Sequence, residues 1–297
     1  MGETENGRTG GEISCLEIDD EDYPDLLRKI SDPPEKLYCL GNRDLLKKTT
    51  IAVVGSRKVT DYGEQIALKL GKILSEAGVA VVSGLARGVD SASHRGALEG
   101  TGGAIGVMGC GIDVCYPVSN MKLWERVRAS GLLLSEYPPG TVAARYMFPR
   151  RNRIISGLCR ATIVVEAGIH SGSLITAELA AEQGRTVYAV PGNIDRVSSF
   201  GSNKLIRDGA MPLVLLTDVL DDLKISYTSD DAGSEKYGQL GADEKKIIDL
   251  VSHGGELSVD RICAETGMEV RTVNGIVTVL EMKGLLHVSM GRVFIEK

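Results

Sequence analysis

A doubly wound α/β sheet followed by a small three-helix unit is the architecture that this sequence predicts, and three observations predict it. Seven short apolar runs end at or near glycine or serine. Several of the segments between them have helical length, with apolar residues three and four apart. After residue 223 a polar, acidic stretch interrupts this alternation, and three short helical patterns follow it. Strand and helix in alternation imply parallel strands, because a parallel pair needs a long crossover and a helix supplies it.

Taken in order, residues 1–12 hold four glycines and no apolar period, which predicts a disordered tail. Residues 13–223 form the main domain. Its first part mixes acids with Tyr23-Pro24 and Asp32-Pro33-Pro34, and then gives the apolar run Leu37 to Leu40, suited to docking on the neighbouring core. Buried parallel strands are expected at Ile51–Val54, Val79–Val82, Ala104–Met108, Leu132–Leu134, Thr162–Val165, Thr186–Val190 and Leu213–Leu216. Helices are expected at Tyr62–Ala77, Met121–Ser130 and Leu174–Gln183. Residues 224–239 read as a linker. In residues 240–297, helical patterns cover Asp243–Val251, Ser258–Thr266 and Val270–Lys283, and Leu285–Ile295 can turn back at Met290-Gly291. Three helices and a β-ribbon are the layout of a winged helix.

The bulk properties narrow the function. A chain of 297 residues, 43% hydrophobic, can bury one sizeable core and one small one. It has no run of about eighteen apolar residues, and its N-terminal stretch is acidic and glycine-rich, so membrane insertion and secretion are not expected. The six cysteines are scattered without Cys-x-x-Cys spacing, which predicts reduced thiols in a cytoplasmic protein and no metal site. A net charge of −6 argues against a generally basic DNA-coating protein, so a nucleic-acid site would have to be a local concentration of positive charge.

Ligands of an open parallel sheet bind beyond the carboxyl ends of the strands. Three strands end there in small-residue loops: Gly55-Ser56-Arg57, the Ser83-Gly84 to Gly88 stretch, and Gly168 to Ser173 with Ser171-Gly172-Ser173 at its core. Glycine admits a phosphate close to the backbone, serine adds a donor, and the following helix presents its positive end. A tight βα turn explains any one of these loops equally well, but three on one edge favour an anion-binding shelf. Neither G-x-G-x-x-G nor G-x-x-x-x-G-K-[S/T] occurs, so nicotinamide chemistry and P-loop hydrolysis are disfavoured, and no cofactor is expected. From Tyr137 to Val165 the chain carries Arg145, Arg150, Arg151, Arg153 and Arg160 with no acid, a local charge of +5. Phe148 sits among them, either as a base-stacking ring or as a core residue. Arg57, Arg145, Arg151 and Arg153 are expected to form one electrostatic footprint. No residue is assigned a catalytic role: the four histidines are far apart, and Glu166 and Glu178 fit loop-ordering and helix-surface positions better than acid–base work.

Several long stretches together resemble the DNA-processing protein A (DprA/Smf) family. They are Gly55-Ser56-Arg57 with Tyr62-Gly63, Ser83 to Asp90, Gly109 to Asp113 with Tyr116-Pro117, Phe148 to Leu158, and Ser171 to Ala177. The resemblance covers about residues 13–223. It implies an extended Rossmann-like, mostly parallel sheet that binds single-stranded DNA, forms a homodimer, and loads the RecA recombinase in natural transformation while single-strand-binding protein is displaced. It would place the phosphate pocket and basic ridge on Gly55, Ser56, Arg57, Ser83, Gly84, Arg145, Phe148, Arg151, Asn152, Arg153, Ser171, Gly172 and Ser173, with Arg150 added by the acid-free window. Many members carry a helical domain ahead of the sheet, for which too few residues precede it here. Residues 240–297 hold seven Lys/Arg against nine Asp/Glu, about −2, which suits a protein contact or dimer support better than duplex DNA. A second reading comes from Gly172 to Glu178, which is also similar to the glycine-rich, Glu-ending motif of nucleotide phosphoribohydrolases. That reading needs Glu178 to face the shelf and a second acid nearby.

Overall fold

The structure is a computed structural model that describes residues 12–227, 240–283, 285–289 and 291–295. All of the expected tail but Glu12, and most of the expected linker, lie outside the described residues. The chain divides into two compact units, Met1–Tyr227 and Thr228–Lys297.

The first unit is built on a nine-stranded sheet. In chain order its elements are β1 (Ser14–Glu17), α1 (Asp25–Arg28), β2 (Lys36–Gly41), β3 (Thr50–Val54), α2 (Asp61–Glu76), β4 (Ala80–Ser83), α3 (Val89–Ala97), β5 (Ala104–Met108), α4 (Met121–Ser130), β6 (Leu132–Ser135), α5 (Met147–Leu158), β7 (Ala161–Val164), α6 (Gly172–Glu182), β8 (Thr186–Ala189), α7 (Phe200–Arg207), β9 (Met211–Pro212) and α8 (Asp218–Asp222). The strand order is β1-β2-β6-β5-β4-β3-β7-β8-β9. β1 and β2 run antiparallel to their neighbours, and every other pair is parallel.

Strands β3 to β7 are buried at every residue, which is why they read as continuous apolar runs rather than as alternation. Their side chains feed two cores. Ile51, Val53 and Val81 pack on one face with α2, α3, α4 and α8, while Ala52, Val54 and Val82 pack on the other with α1, α5 and α6.

Two expectations change. The run Leu37 to Leu40 is not a docking segment but part of β2, paired with β6, and it brings β1 in as the edge strand. Leu213–Leu216 is not a strand. The pairing falls two residues earlier, at Met211–Pro212, because Asp218 accepts from the backbone N–H groups of Val214 (2.8 Å) and Leu215 (2.7 Å) and turns the chain into α8.

The second unit is a winged helix with helices Ala242–Gly254, Val259–Thr266 and Val270–Met282. Its sheet has three strands, not two: Arg292–Ile295 lies between Leu286–Ser289 and a short strand, Leu257–Ser258. Ser258 ends that strand and also caps the next helix, its hydroxyl accepting from the Arg261 N–H, so the expected helix starts one residue late. Of the expected turn, Met290 lies outside the described residues and Gly291 has φ of +73°. Ile247, Val251, Ile262, Val273, Leu280 and Val293 form a separate core for this unit.

Candidate nucleic-acid interface

From β3 the chain winds outward through β4, β5 and β6 on one side, while β7, β8 and β9 continue on the other. The order therefore reverses between β3 and β7, where a crevice must open beyond the strand ends. An open cavity of about 560 Å³ lies there, walled by Gly55 to Lys58 after β3, Gly168 to Ser173 after β7, and Phe148, Arg151 and Asn152 of α5.

The first wall requires glycine. A Cβ on Gly55 would stand 2.5 Å from Val89 Cγ2 and 2.9 Å from the Glu166 carbonyl oxygen, so any side chain would push α3 and the end of β7 away. The Ser56 N–H donates to the Glu166 carbonyl (2.7 Å), and the Ser56 hydroxyl accepts from the Lys58 N–H (3.1 Å). Arg57 and Lys58 are left exposed, with no carboxylate paired to either among the described residues. The Arg57 guanidinium lies 5.8 Å from the centroid of the half-buried Phe148 ring, which is therefore neither a core residue nor a free one.

The second wall is the start of α6. Ser171 caps it, accepting from the Ser173 N–H at 3.4 Å, and the two hydroxyls lie 2.8 Å apart. Gly172 is exposed in the first turn, so the positive end of an eleven-residue helix faces the cavity. Asn152 reaches across from α5 to the Gly172 carbonyl at 3.4 Å.

Arg151 forms the floor. It is 4% exposed, and it donates to the carbonyls of Gly84 (3.0 Å) and Val107. A Cβ on Gly84 would overlap the guanidinium, so a side chain there would displace Arg151 from its carbonyls. Burial lowers the Arg151 pKa to about 10, with Asp90 opposing that shift and Arg57 adding to it. Asp90 is buried beside it and accepts from the N–H groups of Gly84 (3.1 Å) and Ala86 (3.3 Å); burial raises its pKa, against the pull of Arg151.

The other expected residues lie elsewhere. Ser83 is fully buried and spends its hydroxyl on the Val53 carbonyl at 2.7 Å. Arg153 points away from the cavity into an ion pair with Glu136 (2.6 Å), and its Nε donates to the Asp32 backbone carbonyl at 2.8 Å. Burial works against its charge, but the hydrogen bonds and charge of Glu136 outweigh it and raise the pKa. Arg150 is half exposed, 3.6 Å from Glu136, and Arg145 is exposed outside the cavity wall. Arg160 is exposed at the opposite, amino end of β7, its N–H bonded to the Thr50 carbonyl. The single footprint expected of Arg57, Arg145, Arg151 and Arg153 is therefore not assembled. Successive residues of a helix diverge by about 100°, so Arg151 and Arg153 of α5 face roughly opposite ways.

Lys58, His170 and Asp90 line the cavity and were not singled out from the sequence. Lys58 adjoins the Gly-Ser-Arg loop, the signal that would have found it. Glu166 is buried and accepts from the N–H of Thr60 at 2.9 Å, ordering the entry to α2. Glu178 is exposed on the wall of a second cavity, between α6 and α7, and does not face the first.

Fold and site together define a Rossmann-like α/β protein with an anion-receptive cavity at its switch point, carrying a winged-helix unit. The sequence profile of DNA recombination-mediator protein A matches residues 14–224, and that of the DprA winged helix domain matches residues 235–292. The chain belongs to the DprA/Smf family. It is 45% identical over 205 residues to DNA processing protein DprA of Streptococcus pneumoniae, covering 69% of this chain and 72% of that protein. It is 41% identical over 220 residues to DNA processing protein DprA of Bacillus subtilis, covering 73% and 74%. Among solved structures it resembles DNA processing protein A of Helicobacter pylori, described for its single-stranded DNA binding mode, with a TM-score of 0.67, 30% identity, and coverage of 73% and 98%.

Proposed function

We propose that this chain binds single-stranded DNA in the switch-point cavity and, as a homodimer in the cytoplasm, presents it to the RecA recombinase while single-strand-binding protein is displaced. The observation that carries the reading is the meeting of an exposed Arg57 over Phe148 with the open start of α6 above a buried arginine. Cations and backbone donors track phosphates, and an aromatic face stacks any base, so the site suits sequence-tolerant holding. The winged helix, net acidic, fits a protein contact or dimer support.

No specific observation favours nucleotide hydrolysis, because Glu178 is directed at the other cavity.

The test is anisotropy of labelled oligo-dT against salt. The two exposed cations that line the cavity, Arg57 and Lys58, give a log–log slope of about −1.4, from ~0.7 per phosphate. Arg57→Glu should weaken binding and flatten that slope. Wild-type affinity in Arg57→Glu would refute the site, and failure to speed RecA filament formation on precoated DNA would remove the loading role alone.

A further inference from the structure

Beyond the rim of the cavity, the face of Phe148 is continued by a second aromatic ring. Tyr116 lies 5.1 Å from Phe148, centroid to centroid, with the ring planes inclined at 33°. Tyr116 is 47% exposed, and it is not part of the cavity wall. The Arg57 guanidinium stands over Phe148. On the loop after β4, the exposed Arg87 donates from Nε to the Ser119 hydroxyl (3.0 Å), three residues beyond Tyr116, and no carboxylate pairs with it among the described residues.

The loop that carries Tyr116 is held on both sides. The Asn120 amide donates to the Leu85 carbonyl and the Ser91 hydroxyl, each at 2.9 Å, which fastens the loop to the segment after β4. Asp113 accepts from the Gly140 N–H at 2.7 Å, and the Gly111 N–H donates to the Thr141 carbonyl at 2.8 Å, which fastens it to the segment before α5. A tyrosine exposed on so constrained a loop is a preorganised surface, whose ordering costs a ligand little. Two adjoining rings, with one cation over Phe148 and another bonded to the loop that carries Tyr116, supply the stacking faces and the charges that an unpaired strand requires.

We propose that Tyr116 and Arg87 form a second step of the DNA track, on which the strand leaving the cavity over Phe148 stacks its next base and lays down its next phosphate. The proposal rests on the single-strand-binding reading above. A tyrosine that only shields Phe148 would matter to stability and not to the bases of the ligand.

The experiment uses the full chain and two labelled oligonucleotides of equal length, oligo-dT and a strand made wholly of abasic sites. Tyr116→Ala should bind oligo-dT roughly tenfold more weakly, towards the lower end of what one stacked base contributes, and should bind the abasic strand as wild type does. Tyr116→Phe should stay within about twofold of wild type on both, since it keeps the π-face. Arg87→Ala should weaken both strands alike and reduce the salt slope by about 0.7. Tyr116→Leu, which keeps bulk over Phe148 without a π-face, should repeat the alanine result if alanine lowers the melting temperature. Tyr116→Ala and Tyr116→Leu binding oligo-dT like wild type, or losing the same factor on the abasic strand, would overturn the second step. Wild-type protein that binds neither strand would instead overturn the binding reading itself.

Discussion

Replacing Arg153 by alanine should damage folding and spare DNA binding, the reverse of what an arginine in an acid-free window suggests. Its side chain is 8% exposed and that of Glu136 is 15% exposed, with two nitrogens on the carboxylate at 2.6 and 3.0 Å. Removing one partner of a fully buried pair costs about 3–5 kcal/mol, because the remaining charge is stranded. Glu136 keeps some contact with water and has Arg150 at 3.6 Å to fall back on, so we set the loss nearer ~2–3 kcal/mol. For a unit of this size, that lowers the melting temperature by about 4–12 °C. The pairing with Asp32 adds little, since that carboxylate is 66% exposed. The double variant Arg153→Met/Glu136→Leu leaves no stranded charge and should recover part of the loss. Thermal and urea unfolding of the two variants measure the loss and its recovery, and oligo-dT anisotropy runs beside them. Wild-type stability in Arg153→Ala together with a tenfold loss of affinity would refute the reasoning, for it would show that this arginine serves phosphate rather than Glu136.

Two further outcomes follow from a buried group and a close backbone contact. His94 is fully buried, bonded through Nε2, which we assign as the protonated nitrogen, to the Ile105 carbonyl at 3.2 Å, and burial lowers its pKa to about 4. The unfolded chain takes up a proton near pH 6.5 and the folded chain only near 4, so stability should fall as pH drops through that window, by about 3 kcal/mol in all. His94→Gln should remove that part of the slope in urea titrations between pH 7 and 4.5, and an unchanged slope would count against the assignment. Gly55→Ala should cost ~1–3 kcal/mol, since the new Cβ meets Val89 and the Glu166 carbonyl. Wild-type unfolding of that variant would show that the loop yields freely.

How far the sequence could be read depended on where each residue's neighbours came from. β3 to β7 are covered on both faces, so burial wrote itself into the chain as apolar runs. β1 escaped because it is a four-residue edge strand with one buried residue, and β2 because exposed Lys36 and Gly41 bound its apolar run, leaving too short a run to declare its pairing with β6. α5 was read as a basic stretch rather than a helix. Pro149 stands in its first turn, where proline is tolerated, but the residue looks like a breaker in a string. The three glycine and serine loops did converge on one edge, because the parallel topology carries all strand ends there. Charge was the less legible part. The acid-free window begins one residue after Glu136, and Asp32 is distant in the chain, yet both neutralise Arg153 in the fold. Ser83 looked like a donor for a ligand, and only the fold shows its hydroxyl committed to Val53.

The floor of the cavity has a consequence for how its attraction depends on solution conditions. Arg151 is fixed to two strand ends and almost shut off from water. Mobile ions gather around Arg57 and Lys58 and are released when a phosphate replaces them, so their contribution fades as salt is added. No counterion cloud surrounds a guanidinium sealed beneath the surface, and its field reaches an anion in the cavity through protein rather than through electrolyte. The cavity thus combines two kinds of positive charge. On the proposed reading, the first would draw a polyanion in from solution and weaken with ionic strength, and the second would act on a phosphate already seated and keep its strength in brine.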